Sequence, residues 1–227
     1  MKRGVFLVLE GIDGAGTTTQ TERLARSLRA AGHRVHATRE PSTGPIGALL
    51  RQILSGRLAS GSRRRPGVLG APDWETMALL FAADRLDHVA SEIEPILASG
   101  GIVISDRYDA SSLAYQSVTS DGDAAAPAWI RTLNEHALRP DLVVVVDVPA
   151  SVGAERRKSR GDADELYDHD TTQAALATFY RALDRHMPED RVVVISGEGT
   201  VDDVAARILV EVERSCLAPL PTAPEYA

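Results

Sequence analysis

A glycine-rich segment near the N-terminus has the residue types and spacing of a phosphate-binding loop. It consists of Gly11, Ile12, Asp13, Gly14, Ala15, Gly16, Thr17 and Thr18, between a short apolar run and a helical pattern. Glycines let backbone N–H groups converge on phosphate oxygens, and the N-terminus of the following helix adds positive partial charge. Thr18 fits the position whose hydroxyl ligates Mg²⁺. We therefore expect these residues to bind the phosphate groups of ATP, with a plain strand-to-helix turn as the alternative.

Position 17 departs from the loop pattern, because it holds threonine where the pattern has lysine. A lysine would contact the β- and γ-phosphates as a point charge, whereas threonine offers a neutral hydrogen bond, roughly half as strong. Losing one charge-assisted contact costs roughly 3 kcal/mol of transition-state stabilisation, or about 100-fold in rate. Thr17 therefore leaves two functions open, catalysis and nucleotide binding without turnover.

Three later segments contain charged or aromatic residues. Two of them follow the ends of predicted strands, and the third lies within the long predicted helix. They are residues 38–41 (TREP), 79–85 (LLFAADR) and 106–116 (DRYDASSLAYQ). With residues 10–20 (EGIDGAGTTTQ), they stand in the order found in thymidylate kinases, and the chain resembles that family over nearly its whole length. The resemblance implies ATP-dependent phosphorylation of dTMP to dTDP, and Thr17 is the outright departure from it.

The resemblance implies that two of these segments hold the phosphate and the base of dTMP. Arg39 would bind the phosphate through its guanidinium fork, since it follows a predicted strand at the edge where open α/β sheets bind ligands. Phe81 would stack on the thymine ring, and Arg85, one helical turn later, would donate hydrogen bonds to a thymine carbonyl. The respective alternatives are a surface arginine, a core phenylalanine and a solvent-exposed helix arginine.

The resemblance also implies roles next to the phosphate groups. Asp106 would bind Mg²⁺, directly or through water, and Arg107 would contact the phosphates and steady the transferring group. Ser112 would contact the base edge, and Tyr115 would pack beneath the deoxyribose and exclude a 2′-hydroxyl. Asp13 would approach the sugar hydroxyl and the acceptor phosphate. The alternatives are a structural salt bridge between Asp106 and Arg107, ordinary helix packing for Ser112 and Tyr115, and a turn-forming role for Asp13.

A basic run at residues 156–161 (RRKSRG) matches the position of a mobile lid in the family, here at about residues 155–170. One subgroup of the family supplies lid arginines to the transition state and has a small residue in the loop, as Ala15 is here. Arg160, just before the glycine, is the best-matched catalytic residue, and Tyr167 and Asp168 match positions that close over the bound nucleotide. A solvated charged face is the alternative.

Apolar periodicity predicts the elements that must position these residues. Strands are predicted at 5–9, 35–38, 102–105, 142–148 and 191–195, and helices at 18–31, 46–54, 73–99, 109–118, 127–138, 151–160, 165–186 and 201–216. Asp73 is the predicted cap of the long helix, and Pro95 predicts a kink in it. Residues 55–72, rich in Gly, Ser, Arg and Pro, predict an exposed loop.

Strands that alternate with helices indicate parallel βαβ units with right-handed crossovers. The fold class expected is α/β: a three-layer sandwich with a five-stranded parallel sheet and helices on both faces, of the P-loop nucleoside monophosphate kinase type. We expect one kinase domain over residues 1–216 and a flexible tail over 217–227, which carries three prolines.

Composition limits the partners and the compartment. The 227 residues carry a net charge of −7, and a strongly acidic chain is a poor nucleic-acid binder. No apolar stretch reaches the roughly 18 residues of a membrane span, and the N-terminal apolar run is too short for a signal peptide. Cys216 is the single cysteine, which suits a reducing compartment. We therefore expect a soluble, cytoplasmic protein.

Three functions remain in competition at the level of the sequence. The first is an active dTMP kinase with Mg²⁺ and ATP as co-substrate. The second is a degenerate kinase that binds nucleotide as a regulatory or scaffolding protein, for which Thr17 is the support. The third is a related kinase for a different nucleotide or nucleoside, against which Phe81, Arg85 and Tyr115 argue. The resemblance also implies a homodimer through the long helix after Asp73.

Overall fold

The computed structural model of the protein describes residues 3–62, 64, 66–160, 166, 167 and 169–216, with Arg160 described for its backbone alone. Five strands form one parallel sheet: β1 (Phe6–Glu10), β2 (Val35–Arg39), β5 (Ile102–Asp106), β6 (Leu142–Asp147) and β7 (Val192–Ser196). Two short strands, β3 (Ser60–Gly61) and β4 (Leu69–Gly70), pair with each other.

The parallel sheet has the strand order β2-β5-β1-β6-β7. The first strand therefore lies in the middle, with Phe6 opposite Val103 of β5 and Leu7 opposite Leu142 of β6. The chain passes to one side of β1 for β2 and β5 and then crosses to the other side for β6 and β7. The carboxyl end of β1 is thus a topological switch point, where open α/β sheets bind their ligands.

Helices connect these strands: α1 (Thr17–Ala30), α2 (Pro45–Leu54), α3 (Trp74–His88), α4 (Glu94–Ala98), α5 (Asp109–Val118), α6 (Ala126–Leu133), α7 (Ala150–Arg160), α8 (Asp170–Arg181), α9 (Leu183–His186) and α10 (Val201–Ser215). The three inner strands are buried almost throughout, because continuous apolar runs such as 142–146 place hydrophobic side chains on both faces of the sheet. The predicted α/β fold with a five-stranded parallel sheet is confirmed.

The long helix predicted at 73–99 is interrupted. A π-helical turn, Val89–Ile93, separates α3 from α4, and the N–H of Glu94 bonds to the carbonyl of Val89, five residues earlier. Pro95 lacks the N–H that a regular helix would use at this point, so the irregularity lies where the predicted kink was expected. Asp73 occupies the N-cap position of α3 without making a side-chain cap, since its carboxylate accepts from the Ser62 hydroxyl.

The described residues of the predicted loop at 55–72 do form a loop, which includes the β3–β4 ribbon and is tied to α3 by the ion pair of Arg64 with Glu75. Two predicted helix boundaries were wrong. The helix predicted from 165 begins only at Asp170, because Leu166 and Tyr167 lie in a turn whose Tyr167 carbonyl accepts from the Gln173 side chain at 3.0 Å. Helix α6 likewise ends at Leu133 instead of 138.

Some predictions fall outside the described residues. These are residues 161–165 of the predicted lid, Asp168, the tail 217–227 and the side chain of Arg160. Within the described ranges, every helix is too short or too polar to cross a lipid bilayer.

Candidate active site

The predicted phosphate loop lies at the carboxyl end of the central strand and leads into α1. Gly14 and Gly16 have positive φ angles of 85° and 95°, which glycine adopts without strain. Ile12 and Ala15 are buried, and the N–H of Ala15 closes a turn on the Ile12 carbonyl at 3.0 Å. The loop backbone and the N-terminus of α1 therefore form the concave arrangement that binds anions.

The loop packs directly against α7 through two glycines. A Cβ at Gly14 would lie 2.3 Å from the carbonyl oxygen of Gly153, and a Cβ at Gly153 would lie 2.7 Å from the carbonyl oxygen of Asp13. Side chains at either position would force the helix away from the loop. Both glycines are therefore required by close backbone approach.

Thr17 is the first residue of α1 and is buried, with its methyl group towards Gly11. Its short, neutral side chain fills the space beside Gly11 and is too short to extend over the loop. Position 17, where the loop pattern has lysine, therefore carries an uncharged side chain. The neighbouring Thr18 hydroxyl instead donates to Asp106 Oδ2 at 2.5 Å.

Thr18 and Asp106 fit a divalent cation held beside bound phosphates. The second carboxylate oxygen of Asp106, Oδ1, is buried without a hydrogen-bond partner within the described part of the chain. An orphaned carboxylate oxygen next to a hydroxyl is the hard-oxygen donor set that Mg²⁺ uses together with phosphate oxygens and water. Among the described residues there is no cluster of three carboxylate, His or Cys ligands, and Mg²⁺ bound to phosphates does not require one.

Asp13 lies at the centre of a polar cluster above the loop. Its Oδ1 accepts from Arg107 Nη2 at 2.6 Å, and its Oδ2 accepts from the Tyr115 hydroxyl at 2.9 Å and from Gln173 Nε2 at 2.7 Å. Burial raises the pKa of Tyr115 well above its ordinary value, so its hydroxyl remains a donor at neutral pH. The carboxylate is thus fixed by three donors, from the turn after β5, from α5 and from α8.

Arg107 is held in an unusual backbone conformation just after β5. Its φ is 71°, in the region that a non-glycine residue rarely adopts. Its Nη1 donates to the Gly11 carbonyl at 3.0 Å, and the guanidinium lies 5.3 Å from the centre of the Tyr115 ring. The charge is therefore positioned between the phosphate loop and the aromatic wall of the adjoining cavity.

A cavity of about 120 Å³ opens beside this cluster. Its lining contains five of the predicted dTMP-binding residues together with Asp13 and Arg107: Phe81, Arg85, Ser112, Tyr115 and Tyr167. The Tyr115 and Tyr167 rings meet edge to face with centroids 5.2 Å apart. Burial raises the pKa of Tyr167 to about 12. A flat, largely apolar ligand with a few polar edges suits such a cavity.

Arg85 is buried instead of exposed on its helix, at 1% exposure. Its Nη2 pairs with Glu40 Oε2 at 2.6 Å and donates to Ser112 Oγ at 3.0 Å, and Nη1 donates to Asn134. The Nε atom has no hydrogen-bond partner among the described residues. The solvent-exposed alternative for Arg85 is therefore excluded, and a buried donor at the wall of the cavity remains.

Arg39 lies apart from the cavity, whereas the other predicted dTMP-binding residues line it. It is exposed at the end of β2 and is not part of the cavity lining. It is the last residue of β2 and pairs with Asp106 of β5, so it lies within the sheet at its carboxyl edge and not just past the strand as predicted.

Four residues that sequence reasoning did not single out complete the site. Gln116 lines the cavity; its amide lies near the Tyr167 hydroxyl, yet neither amide atom meets a partner with hydrogen-bond geometry in the described ranges. Gln173 bonds to both the N–H and the carboxylate of Asp13. Glu40 holds Arg85, and Glu10 anchors the start of α5. Gln116 and Glu40 fell inside recognised motifs, whereas no spacing signalled Gln173.

A second cleft of about 420 Å³ lies on the other side of the loop. Its lining includes Gly14, Ala15, Gly16, Arg156 and Gly197. The Arg156 guanidinium donates to the carbonyls of Ala15 and Gly197, each at 3.2 Å. The two cavities therefore meet at the phosphate loop, with Asp13 in the lining of one and Gly14 in the lining of the other.

Comparison with known proteins identifies similar chains. A sequence model of the thymidylate kinase family matches residues 9–208. The chain is 37% identical over 217 residues to a probable thymidylate kinase of Thermococcus gammatolerans, covering 95% of this chain and 99% of that protein. It is 39% identical over 219 residues to a thymidylate kinase of Caulobacter vibrioides, covering 92% of this chain and 95% of that protein. A thymidylate kinase of Geobacter sulfurreducens is 43% identical over 157 residues, which is 69% of each chain.

Proposed function

Because the chain belongs to the thymidylate kinase family, we propose that it transfers the γ-phosphoryl group of ATP to dTMP and releases ADP and dTDP. The observation that carries this proposal is the pair of cavities that meet at the phosphate loop. One has the aromatic and amide lining for a base, and the other has loop backbone for phosphates. Two nucleotides bound in this way would bring their phosphate ends together at Asp13.

The base of dTMP occupies the cavity between α3 and α5 in this proposal. Phe81 stacks on the ring, and Arg85, Ser112 and Gln116 provide donors and an acceptor for its edge. The Gln116 amide has no hydrogen-bond partner among the described residues. Desolvated polar groups that are satisfied only by the right ligand discriminate strongly against other ligands. Tyr115 and Tyr167 pack along the deoxyribose, where Tyr115 leaves no room for a 2′-hydroxyl.

Positioning and charge stabilisation carry the reaction. The attacking group is an oxygen of the dTMP phosphate, which is already ionised and requires no strong general base. Arg39 and Arg107 hold that phosphate, and the loop N–H groups from Gly11 to Thr18 hold the phosphates of ATP. Thr18 and Asp106 would hold Mg²⁺, which would supply positive charge to the bound phosphates. Arg160, whose side chain lies outside the described residues, is the lid arginine that we propose to act on the transferring group. Catalysis in this proposal rests on preorganised charges.

We further propose the organisation that accompanies this activity. Residues 1–216 form one kinase domain with a lid at about 155–170, and 217–227 form a tail. Two copies associate through α3, the protein acts in the cytoplasm, and neither nucleic acid nor a membrane is a partner. The net charge of −7 supports the absence of a nucleic-acid partner.

A coupled assay of ADP release from ATP, Mg²⁺ and dTMP tests the proposed activity. We expect ADP and dTDP to form in equal amounts, faster with dTMP than with dUMP, dCMP or AMP. ADP at the level of the dTMP-free control would exclude the kinase activity. Calorimetry that shows dTMP binding under the same conditions without turnover would then favour the degenerate kinase suggested by Thr17, which neither family membership nor the site favours.

A further inference from the structure

The Glu40 side chain connects the cavity that we propose for the base of dTMP to a buried histidine. Glu40 directly follows β2 and is buried, and its Oε2 accepts from Arg85 Nη2 at 2.6 Å. Its other oxygen, Oε1, lies 3.3 Å from His88 Nδ1. Among the described residues, these are the two side chains that bond to the Glu40 carboxylate. The orientation of the carboxylate therefore depends on His88 as well as on Arg85.

His88 lies three residues after Arg85 on α3, so the two side chains share one face of the helix. The His88 ring is buried, and its Nε2 lies 2.8 Å from the Thr38 hydroxyl and 3.6 Å from Glu92 Oε2. A carboxylate accepts hydrogen bonds and has no proton to donate, so Nδ1 carries a proton and donates it to the hydrogen bond with Glu40. The ring is thus held at both nitrogens.

The contacts of Arg85 transmit the position of Glu40 to the cavity wall. In the described part of the chain, Arg85 and Glu40 line the cavity and His88 does not. Arg85 Nη2 donates to Glu40 and also to Ser112 Oγ at 3.0 Å. Because the bond between the two charged groups is short and charge-assisted, rotation of the carboxylate would move this nitrogen away from Ser112. His88 can therefore influence the cavity without touching a ligand in it.

We propose that His88 is a positioning residue for the base of dTMP: it holds Glu40, Glu40 holds the guanidinium of Arg85, and Arg85 contacts the base. This inference rests on the proposed function, which places the base beside Arg85. A guanidinium has its donors in a fixed planar fork, so a small rotation changes which of them points into the cavity. The affinity for dTMP then depends on a side chain that dTMP does not contact.

Calorimetry of dTMP binding to wild type, His88→Leu and His88→Asn tests the proposal. Leucine is similar in size but has no donor, whereas the asparagine amide nitrogen takes the position of Nδ1 in the side chain and can donate to Glu40. We expect the Kd for dTMP to rise about tenfold in His88→Leu and less than about threefold in His88→Asn. The KM for dTMP should follow the Kd, with kcat and the KM for ATP within about twofold of wild type.

A double-mutant cycle with Arg85→Lys shows whether the effect passes through the guanidinium. Arg85→Lys keeps a positive charge for Glu40 and removes the planar fork. In that background, His88→Leu should change the Kd for dTMP less than about twofold, because the group that His88 positions is already absent. An equal loss in both backgrounds, a wild-type Kd in His88→Leu, or His88→Asn as weak as His88→Leu would each overturn the proposal.

The matched control is Val89→Ala, which removes buried packing next to His88 without removing a bond to Glu40. It should lower the temperature of thermal unfolding and keep the wild-type Kd for dTMP, and thermal unfolding of the His88 variants checks that their fold is intact. If Val89→Ala raised the Kd as much as His88→Leu does, loosening of the helix would explain both results and the proposal would be wrong.

Binding and turnover keep this test separate from the test of the proposed function. Wild type that binds dTMP without releasing ADP would refute the kinase activity, and the binding cycle would still decide whether His88 acts through Arg85. Wild type that phosphorylates dTMP, while the substitutions at His88 and Arg85 act independently, would overturn this inference alone.

Discussion

At the scale of single residues, Glu10 connects the fold of the site to pH. Its side chain is fully buried at the end of β1 and accepts from the N–H groups of Tyr108 and Ser111 at 2.8 and 3.1 Å. The Ser111 hydroxyl donates to its other oxygen at 2.6 Å. Burial raises the pKa of Glu10 to about 7, and the Arg107 charge and these hydrogen bonds oppose part of that rise. The same carboxyl group therefore changes its charge near neutral pH.

We predict that Glu10→Gln removes a pH-dependent part of the free energy of unfolding. The folded pKa of about 7 lies above the ordinary value of 4.5, so the folded state binds the proton more tightly than the unfolded state. The stabilisation is fully present below pH 4.5 and is lost as the pH rises through 7. Relative to the variant, wild type should lose up to about 3 kcal/mol between pH 5 and pH 8 in urea unfolding.

The control for this prediction is Glu22→Gln, which removes one exposed carboxylate of α1. If the difference between wild type and Glu10→Gln is the same at both pH values, the buried carboxyl group does not titrate between them. Wild type that gains stability relative to Glu10→Gln between pH 5 and pH 8 would contradict the sign.

Residue types were more predictable than residue partners. Arg85 and Tyr115 stand in motifs that single them out, and both line the cavity. The buried ion pair of Arg85 with Glu40, however, depends on how α3 faces the end of β2. Gln173 contacts Asp13 across 160 positions of sequence, a separation over which neither periodicity nor spacing carries information. Local patterns predict which groups can react, and packing decides which of them meet.

At the scale of elements, the approach of α7 to the phosphate loop is the contact on which the site depends most. We predict that Gly153→Ala lowers kcat and raises the KM for ATP, because the new Cβ would lie 2.7 Å from the Asp13 carbonyl oxygen and must push α7 or the loop aside. A displacement of about 1 Å at a reacting site can cost about 100-fold in rate. Alanine is the better helix former by about 1 kcal/mol, so thermal unfolding should show no comparable loss.

Ser151→Ala, at an exposed position of the same helix, is the matched control and should keep wild-type kinetics. Unchanged kcat and KM for ATP in Gly153→Ala would mean that the helix and the loop separate without consequence for the reaction.

Elements with long apolar runs were predictable, and irregular backbone was not. Strand β6 was evident from five consecutive buried apolar residues. The π-helical turn at Val89–Ile93 is the exception, because it lies beside Pro95, where a kink was predicted. The turn before α8 involves the bond of Gln173 to the Tyr167 carbonyl, and Gln173 is itself held by Asp13, 160 positions away. The sequence period extends through this turn without a break, because such a contact forms only when distant elements pack.

At the scale of the whole molecule, α3 has one face towards the cavity and another that is apolar and exposed. One face carries Phe81 and Arg85 towards the cavity. The other leaves Leu79, Ala83 and Leu86 exposed at positions i, i+4 and i+7, with Leu79 50% and Leu86 43% exposed. Leu49 on the neighbouring α2 is also exposed, at 39%. An apolar stripe of this kind along one helix suits association with a second copy of the same helix.

We predict that the double variant Leu79→Glu/Leu86→Glu is monomeric, whereas wild type sediments at twice the mass of one chain. Four glutamates facing one another across a two-fold axis would bury like charges, which costs far more than the apolar contact contributes. Since α3 also carries Phe81 and Arg85, a monomer should bind dTMP more weakly, with a raised KM. Val210→Glu, which places the same charge on the exposed face of α10, should remain dimeric with wild-type KM. A monomeric wild type at micromolar concentration, or a double variant that still dimerises, would show that the stripe on α3 is not the interface between copies.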